Sequence, residues 1–178
     1  MNLKPPDWVE ELRASLNREF DEGPQIAAMA TVDASRSPQV RSIVLRELAS
    51  DGSIWFVTDG RSAKIGQLAE NAAVQLLIWM PQQRVQYRLT GEAHRIVEEE
   101  ILIAQWGKLS EATKAVFFWG TAMESEWGIA KTQALPPVNF AAYRIWVSGV
   151  DYLSLLTTPH TRWIAREADG WERRRTQA

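Results

Sequence analysis

The 178-residue sequence contains no cysteine. That excludes disulfide staples, thiolate nucleophiles and thiolate metal sites, and it leaves the redox compartment open. Only two histidines occur, His94 and His160, a poor ligand set for a metal centre. No apolar run is long enough to span a bilayer as a helix. The opening stretch MNLKPPDWVEELRASLNREF is charged and lacks the continuous apolar segment of a secretory signal, so cytoplasmic residence is the expectation. Net charge is also scarce: at -2 the chain has no overall pull on nucleic acid or anionic lipid, and any anion site must be a local cluster. G-x-S-x-G, Walker and G-x-G-x-x-G patterns are absent, which removes the sequence basis for hydrolase, nucleotidase and Rossmann readings. No repeat and no low-complexity segment is present.

What is present reads as one folded domain over residues 1–178, with 46% apolar and 24% charged residues, enough for a single hydrophobic core. Residues 1–22 form an amphipathic N-terminal helix. Pro5-Pro6-Asp7 with Glu10 suggests a capping box, and Trp8, Val9, Leu12, Leu16 and Phe20 follow at helical spacing. After Gly23-Pro24 the pattern becomes extended, over 26–32, 40–48 and 54–58, with Asp51-Gly52 as a hairpin turn. A short helix is expected over 62–71 and strands over 74–80 and 85–96. Residues 98–138 form a helical and loop insertion, with helices over 98–105 and 110–118 and a long crossing loop over 121–138. Strands over 140–147, 152–156 and 162–166 close the chain. Many short strands with peripheral helices indicate a mainly β, antiparallel barrel. Nine tryptophans, from Trp8 to Trp171, are expected chiefly in the core, with some left for a flat-ligand pocket or a subunit interface.

Chemistry concentrates between residues 41 and 64. Arg61 and Lys64 flank the start of the short helix, where positive charge opposes the helix dipole. A bound anion would reverse that sign, because a phosphate could take hydrogen bonds from the first amides and Ser62 and charge-assisted contacts from the two cations. Arg41 and Arg46 add basic positions on the preceding apolar strand. Residues five apart in a strand lie on opposite faces, so both could serve one ligand only around a strand end, bulge or exposed edge.

The spaced set R-x-x-x-L-R (Arg41 to Arg46), F-V-T-D-x-R-S-x-K-x-x-Q-L (Phe56 to Leu68) and Gln86 resembles the FMN-binding core of the pyridoxamine 5'-phosphate oxidase family. The likeness runs from Ile26 to Ile96 and resumes at His160-Thr161-Arg162. Trp106-x-x-Leu109-Ser110, then Phe117-Phe118-Trp119, is similar to the central helix of the branch described as oxidase-related FMN-binding proteins. The resemblance implies an FMN-binding split barrel of antiparallel Greek-key type. It implies that Arg41 and Lys64 hold the FMN phosphate with Arg61 and Ser62 close by, and that the chain through Ser42, Ile43, Val44 and Arg46 runs beside the ribityl and ring system. Val57 lies at the cofactor, Thr58 and Gln86 hydrogen-bond to it, and Arg162 approaches the polar edge of the ring. His160 falls on the substrate side as the candidate catalytic residue. The implied assembly is a homodimer with each flavin between subunits.

The sequence also departs from the oxidases. Thr158 replaces an arginine two positions before the histidine, Val57 a tyrosine and Leu153 a tryptophan, and no tyrosine, arginine and serine set for a substrate phosphate can be placed over 106–114. The expectation is therefore a flavoprotein that carries out FMN-dependent hydride transfer with a small amine, aldehyde or conjugated substrate and oxidises pyridoxamine 5'-phosphate weakly or not at all. The alternatives are a non-catalytic flavin carrier or sensor, and a split barrel that binds haem or no cofactor.

Overall fold

Perfect two-residue alternation along AVQLLIWM, exposed then buried at every step, sets the plan of the fold: one face of a sheet packs on a core and the other is open. The computed structural model describes residues 6–21, 23–118 and 135–177. Helix α1 spans Asp7–Phe20, followed by strands β1 (Ile26–Val32), β2 (Pro38–Val44), β3 (Glu47–Leu48) and β4 (Ile54–Asp59). Helix α2 (Lys64–Glu70), strands β5 (Ala73–Met80) and β6 (Val85–Arg95) and helices α3 (Glu99–Gly107) and α4 (Glu111–Val116) come next. Strands β7 (Phe140–Ser154), β8 (Thr161–Arg166) and β9 (Arg174–Arg175) complete the sheet. All pairings are antiparallel, in the order β2-β1-β5-β6-β7-β4-β3, with β8 on the second half of β7 and β9 on β8. This is the mainly β, antiparallel split barrel expected from the sequence.

The sheet's inner face buries Met29, Phe56, Leu76, Ile78, Tyr87, Leu89 and Ile145, and α1 adds Trp8, Val9, Leu12 and Leu16 to the same core. Glu19, itself buried, fixes the end of α1 by accepting the amides of Gln82 and Gln83 in the β5–β6 turn. The Asp51-Gly52 hairpin forms, with Gly52 at φ +84° and a Cβ there only 2.9 Å from the Trp8 ring. Backbone conformation and packing thus both require glycine. A smaller core of Trp106, Leu109, Phe117, Phe118, Phe140 and Ala142 joins the helices to β7.

Three local expectations change. The capping box does not form, because the N-cap is Pro6 and no side chain caps the helix. The strand expected over 40–48 divides after Val44, where the Leu45 amide reaches Gln25 and the Arg46 amide crosses to Trp55. The two strands expected over 140–147 and 152–156 are one continuous β7, which takes up the irregularity itself as a bulge, with Ser148 the extra residue opposite Thr90 and Gly91 of β6. Residues 119–134, including Trp119 and most of the expected crossing loop, lie outside the described residues. Trp8, Trp55, Trp106 and Trp163 are buried, whereas Trp79 and Trp146 are exposed. No helix among the described residues is long and apolar enough to cross a membrane.

Candidate functional site

Lys64, the first residue of α2, donates to Thr58 Oγ1 of β4 at 2.8 Å and to Ser62 Oγ at 3.0 Å. Arg41 reaches the same region from β2. Its guanidinium donates to Thr31 Oγ1 at 2.5 Å and to Gln67 Oε1 of α2 at 2.7 Å, and Gln67 also accepts from the Thr31 hydroxyl. Every direct partner of these two cations is neutral. Desolvation lowers the Lys64 pKa, the Arg41 charge lowers it further, and Asp59 only partly opposes them. Desolvation also lowers that of Arg41. Two uncompensated like charges held together by hydroxyls and an amide form a seat whose electrostatic cost an anion would remove.

Arg61 sits differently. Its guanidinium closes on Asp59, Nε to Oδ1 at 2.9 Å and Nη2 to Oδ2 at 2.6 Å, and its amide also donates to Oδ1. The Ser62 amide and hydroxyl both donate to the Asp59 carbonyl, and the Ile65 amide donates to the Ser62 carbonyl. The amides of Arg61, Ser62 and Ile65 are thus committed within the turn, and the charge of the anion seat comes from the side chains of Arg41 and Lys64. Asn139 locks the turn from the far side, donating to Asp59 Oδ2 at 3.0 Å and to the Phe117 carbonyl at 2.7 Å.

Arg41 and Arg46 meet the strand-alternation problem by a strand end. Arg46 lies beyond the last residue of β2 and lines a cleft of about 380 Å³ with Val57, Thr58, Asp59, Ala112, Thr113, Val116 and Phe117. Its side chain has no hydrogen-bond or ion-pair partner among the described residues. Partial desolvation lowers its pKa although solvent reaches it. Thr58 joins this cleft to the Lys64 seat. Between Arg41 and Arg46, Ile43 is buried in the core, Ser42 is exposed and Val44 half-buried, on the edge strand of the sheet, where the outward backbone groups are open.

The remaining predicted residues form a separate group. Gln86, Leu153 and Arg162 stand in one row across β6, β7 and β8, with Trp79 next to Gln86 on β5. Arg162 is committed to Asp151, Nε to Oδ1 at 3.0 Å and Nη2 to Oδ2 at 2.8 Å, and Asp151 also pairs with Arg88. Burial would raise the Asp151 pKa, but bonds from Arg162 and Arg88 outweigh it and lower it. His160 is exposed, its Nδ1 3.0 Å from the Thr157 carbonyl, and it lines a cleft of about 660 Å³ with Thr158, Arg162 and Arg175. Sequence reasoning missed Thr31, Gln67, Asn139 and Asp151. The i, i+3 spacing of Lys64 and Gln67 on α2 was the available signal for one of them.

An antiparallel split barrel that holds a cationic, side-chain-built seat beside the α2 turn defines a binder of a phosphorylated cofactor. The sequence model described as "Pyridoxamine 5'-phosphate oxidase, FMN-binding domain" matches residues 5–97, just over half of the chain. The chain therefore belongs to the pyridoxamine 5'-phosphate oxidase FMN-binding domain family, and FMN is its cofactor. The pyridoxine/pyridoxamine 5'-phosphate oxidase of Shewanella woodyi is 35% identical over 96 residues, 53% of this chain and 43% of that protein. The chain thus spans under half the length of the curated relatives it matches. A pyridoxamine 5'-phosphate oxidase-related, FMN-binding protein from Nostoc punctiforme aligns with a TM-score of 0.84 at 25% identity, covering 100% of this chain and 99% of that one. PhzG from Burkholderia lata, solved with tetrahydrophenazine-1-carboxylic acid, aligns with a TM-score of 0.81 at 19% identity over 99% and 94% of the two chains; this likeness shows the fold.

The seat fits the cofactor. Arg41 and Lys64 supply two positive charges without acidic partners in direct contact, which suits a phosphate dianion, and Thr58 and Ser62 supply hydroxyls.

Proposed function

We propose that the protein is an FMN-dependent oxidoreductase acting on a small molecule other than pyridoxamine 5'-phosphate. The observation that carries this reading is the pairing of Arg41 and Lys64 through neutral ligands alone, a costly arrangement in the absence of a dianion. Arg41 and Lys64 hold the phosphate, Thr58 and Ser62 orient it, and the open edge of β2 from Ser42 to Val44 offers backbone donors and acceptors to the rest of the cofactor. When bound, FMN supplies hydride-transfer chemistry. Val57 and Phe117 exclude water from the adjoining cleft. Arg61 supports the site by holding Asp59, and the Thr158 position lacks the guanidinium that the oxidases use beside His160.

The working unit we propose is a homodimer. Thr58 pairs with Ala141 at one end of β7 and Arg162 with Leu153 near the other. Along the strand those points are about 40 Å apart at ~3.3 Å per residue, farther than one flavin mononucleotide reaches. Gln86, His160 and Arg162 would then serve the Arg41–Lys64 seat of a second copy. The open sheet face carrying Val40, Leu77 and Trp79, exposed by 68%, 38% and 43%, is the surface that would meet it.

The test is the absorption spectrum of the purified protein with mass spectrometry of the released ligand, followed by aerobic assay with pyridoxamine 5'-phosphate. A yellow protein releasing FMN and forming little peroxide is expected. A colourless protein that takes up no added FMN, or one that turns over pyridoxamine 5'-phosphate briskly, contradicts the proposal.

A further inference from the structure

The cleft beside the Lys64 seat has two walls of different origin. Val57, Thr58 and Asp59 belong to β4, whereas Ala112, Thr113, Val116 and Phe117 belong to α4 and the residue that ends it. Within α4 the side chains bond to one another, the Ser110 hydroxyl with that of Thr113 and Lys114 with Glu111. Asn139, in the turn before β7, spans the gap between the walls. It is 9% exposed, and its side-chain amide donates to Asp59 Oδ2 at 3.0 Å on one wall and to the Phe117 carbonyl at 2.7 Å on the other. Both amide hydrogens are thereby spent. Its main-chain carbonyl accepts from the Gly60 amide at 2.6 Å, so the turn after β4 is held through the backbone as well. A buried side chain that spends its donors on two elements fixes their separation, because releasing either partner leaves a buried donor unsatisfied.

We propose that Asn139 is a positioning residue that couples the cofactor turn to the α4 wall, so that seating FMN fixes the width of the cleft open to a substrate. The inference rests on the flavoenzyme reading, since Thr58 and Asp59 connect the cleft to the Lys64 seat. A phosphate held by Lys64 with Thr58 and Ser62 stiffens the turn that carries Asp59. Asn139 passes that restraint to the Phe117 carbonyl and so to the end of α4. The packing of Phe117 on Trp106 and Phe140 keeps the helix against the sheet, and Asn139 sets where along the sheet it rests. Coupling of this kind is reciprocal, so the held wall in turn favours the bound cofactor.

Hydrogen exchange, read peptide by peptide with and without saturating FMN, tests the coupling. In the parent, FMN is expected to raise protection both at residues 58–64 and at residues 111–117. In Asn139→Ala the rise at 58–64 should persist, while that at 111–117 should fall about tenfold, the scale of one hydrogen bond. Asn139→Asp supplies a second arm and carries the test if the alanine variant does not fold. The groups facing its carboxyl are Asp59 and Arg61 from the β4 turn and the neutral Phe117 carbonyl from α4. It can donate only when protonated, so protection factors at 111–117 should be low near neutral pH and recover toward about pH 5, where the two carboxyls share a proton. The parent should show no such recovery, and a side chain that merely fills space would not produce one. An FMN-induced rise at 111–117 in Asn139→Ala equal to that of the parent, or a flat pH profile for Asn139→Asp, overturns the proposal. Flavin fluorescence reports separately on cofactor binding. A parent that binds no FMN removes the flavoenzyme reading and the coupling with it, whereas one that binds FMN without protecting 111–117 removes the coupling alone.

Discussion

Arg162 and Asp151 are joined edge to edge, with two nitrogens of the guanidinium on the two oxygens of the carboxylate at 3.0 and 2.8 Å. Because Asp151 also pairs with Arg88, whose Nε is buried without a partner, one carboxylate restrains two cations on the open face of the sheet. Asp151→Asn is expected to lower stability by about 1–3 kcal/mol, measured by denaturant unfolding. In a double-mutant cycle with Arg162→Leu the two losses should fall well short of additive. Additive losses would mean that the pair is not coupled in solution.

Removal of either cation from the phosphate seat should be felt directly. Lys64→Ala or Arg41→Ala is expected to weaken FMN binding by about 1.5–3 kcal/mol, the scale of a hydrogen bond to a charged group, read by quenching of flavin fluorescence. Gln67→Leu should have a smaller effect of the same sign, because Gln67 orients Arg41 through its side-chain oxygen. Parent-like affinity in both alanine variants would remove the seat from the cofactor site.

Asp59 should leave a signature in acid. The Arg61 side chain draws its pKa down, burial opposes this, and the Arg61 amide and Asn139 draw it further down, to about 2. A carboxyl depressed in the folded state stabilises the protein above its unfolded value near 3.9, and that contribution is lost as pH falls from about 4 through about 2. Arg61 is exposed, so solvent screening keeps the effect small. Unfolding free energies measured across that window should fall more steeply for the parent than for Asp59→Asn; equal slopes would show that the turn does not hold Asp59 in this way.

Gly91 is required by the sheet rather than by its turn propensity. A Cβ at that position would collide with the Trp146 carbonyl oxygen beside the β7 bulge. Gly91→Ala should therefore cost at least about 2 kcal/mol. A variant with an unchanged melting temperature would indicate that the bulge relaxes freely.

The strands and their order of appearance were legible because their patterns are local. β1 begins and ends where its apolar run does, and β5 alternates without a fault. The division of β2 from β3 and the unbroken length of β7 were not legible, since both depend on pairing with a neighbour: Trp55 for Arg46, and β6 for β7, which passes it with a bulge at Ser148. In the site, the spacing of Arg41, Thr58, Ser62 and Lys64 pointed to residues that the fold brings together. The roles of Arg61 and Arg162 were obscured because each has an acidic partner that no spacing rule singles out: Asp59, two residues before it in the same turn, and Asp151 on a neighbouring strand.

The position of β7 between β6 and β4 has a consequence for synthesis. Until residues after 140 emerge, the sheet exists only as two fragments, β2-β1-β5-β6 and β3-β4, with bare edges where β7 will insert. Closure must await β7, Phe140–Ser154, so the nascent chain exposes pairing-competent strand edges until that segment emerges. Ribosome-bound intermediates stalled before residue 140 would be the forms most in need of chaperone protection.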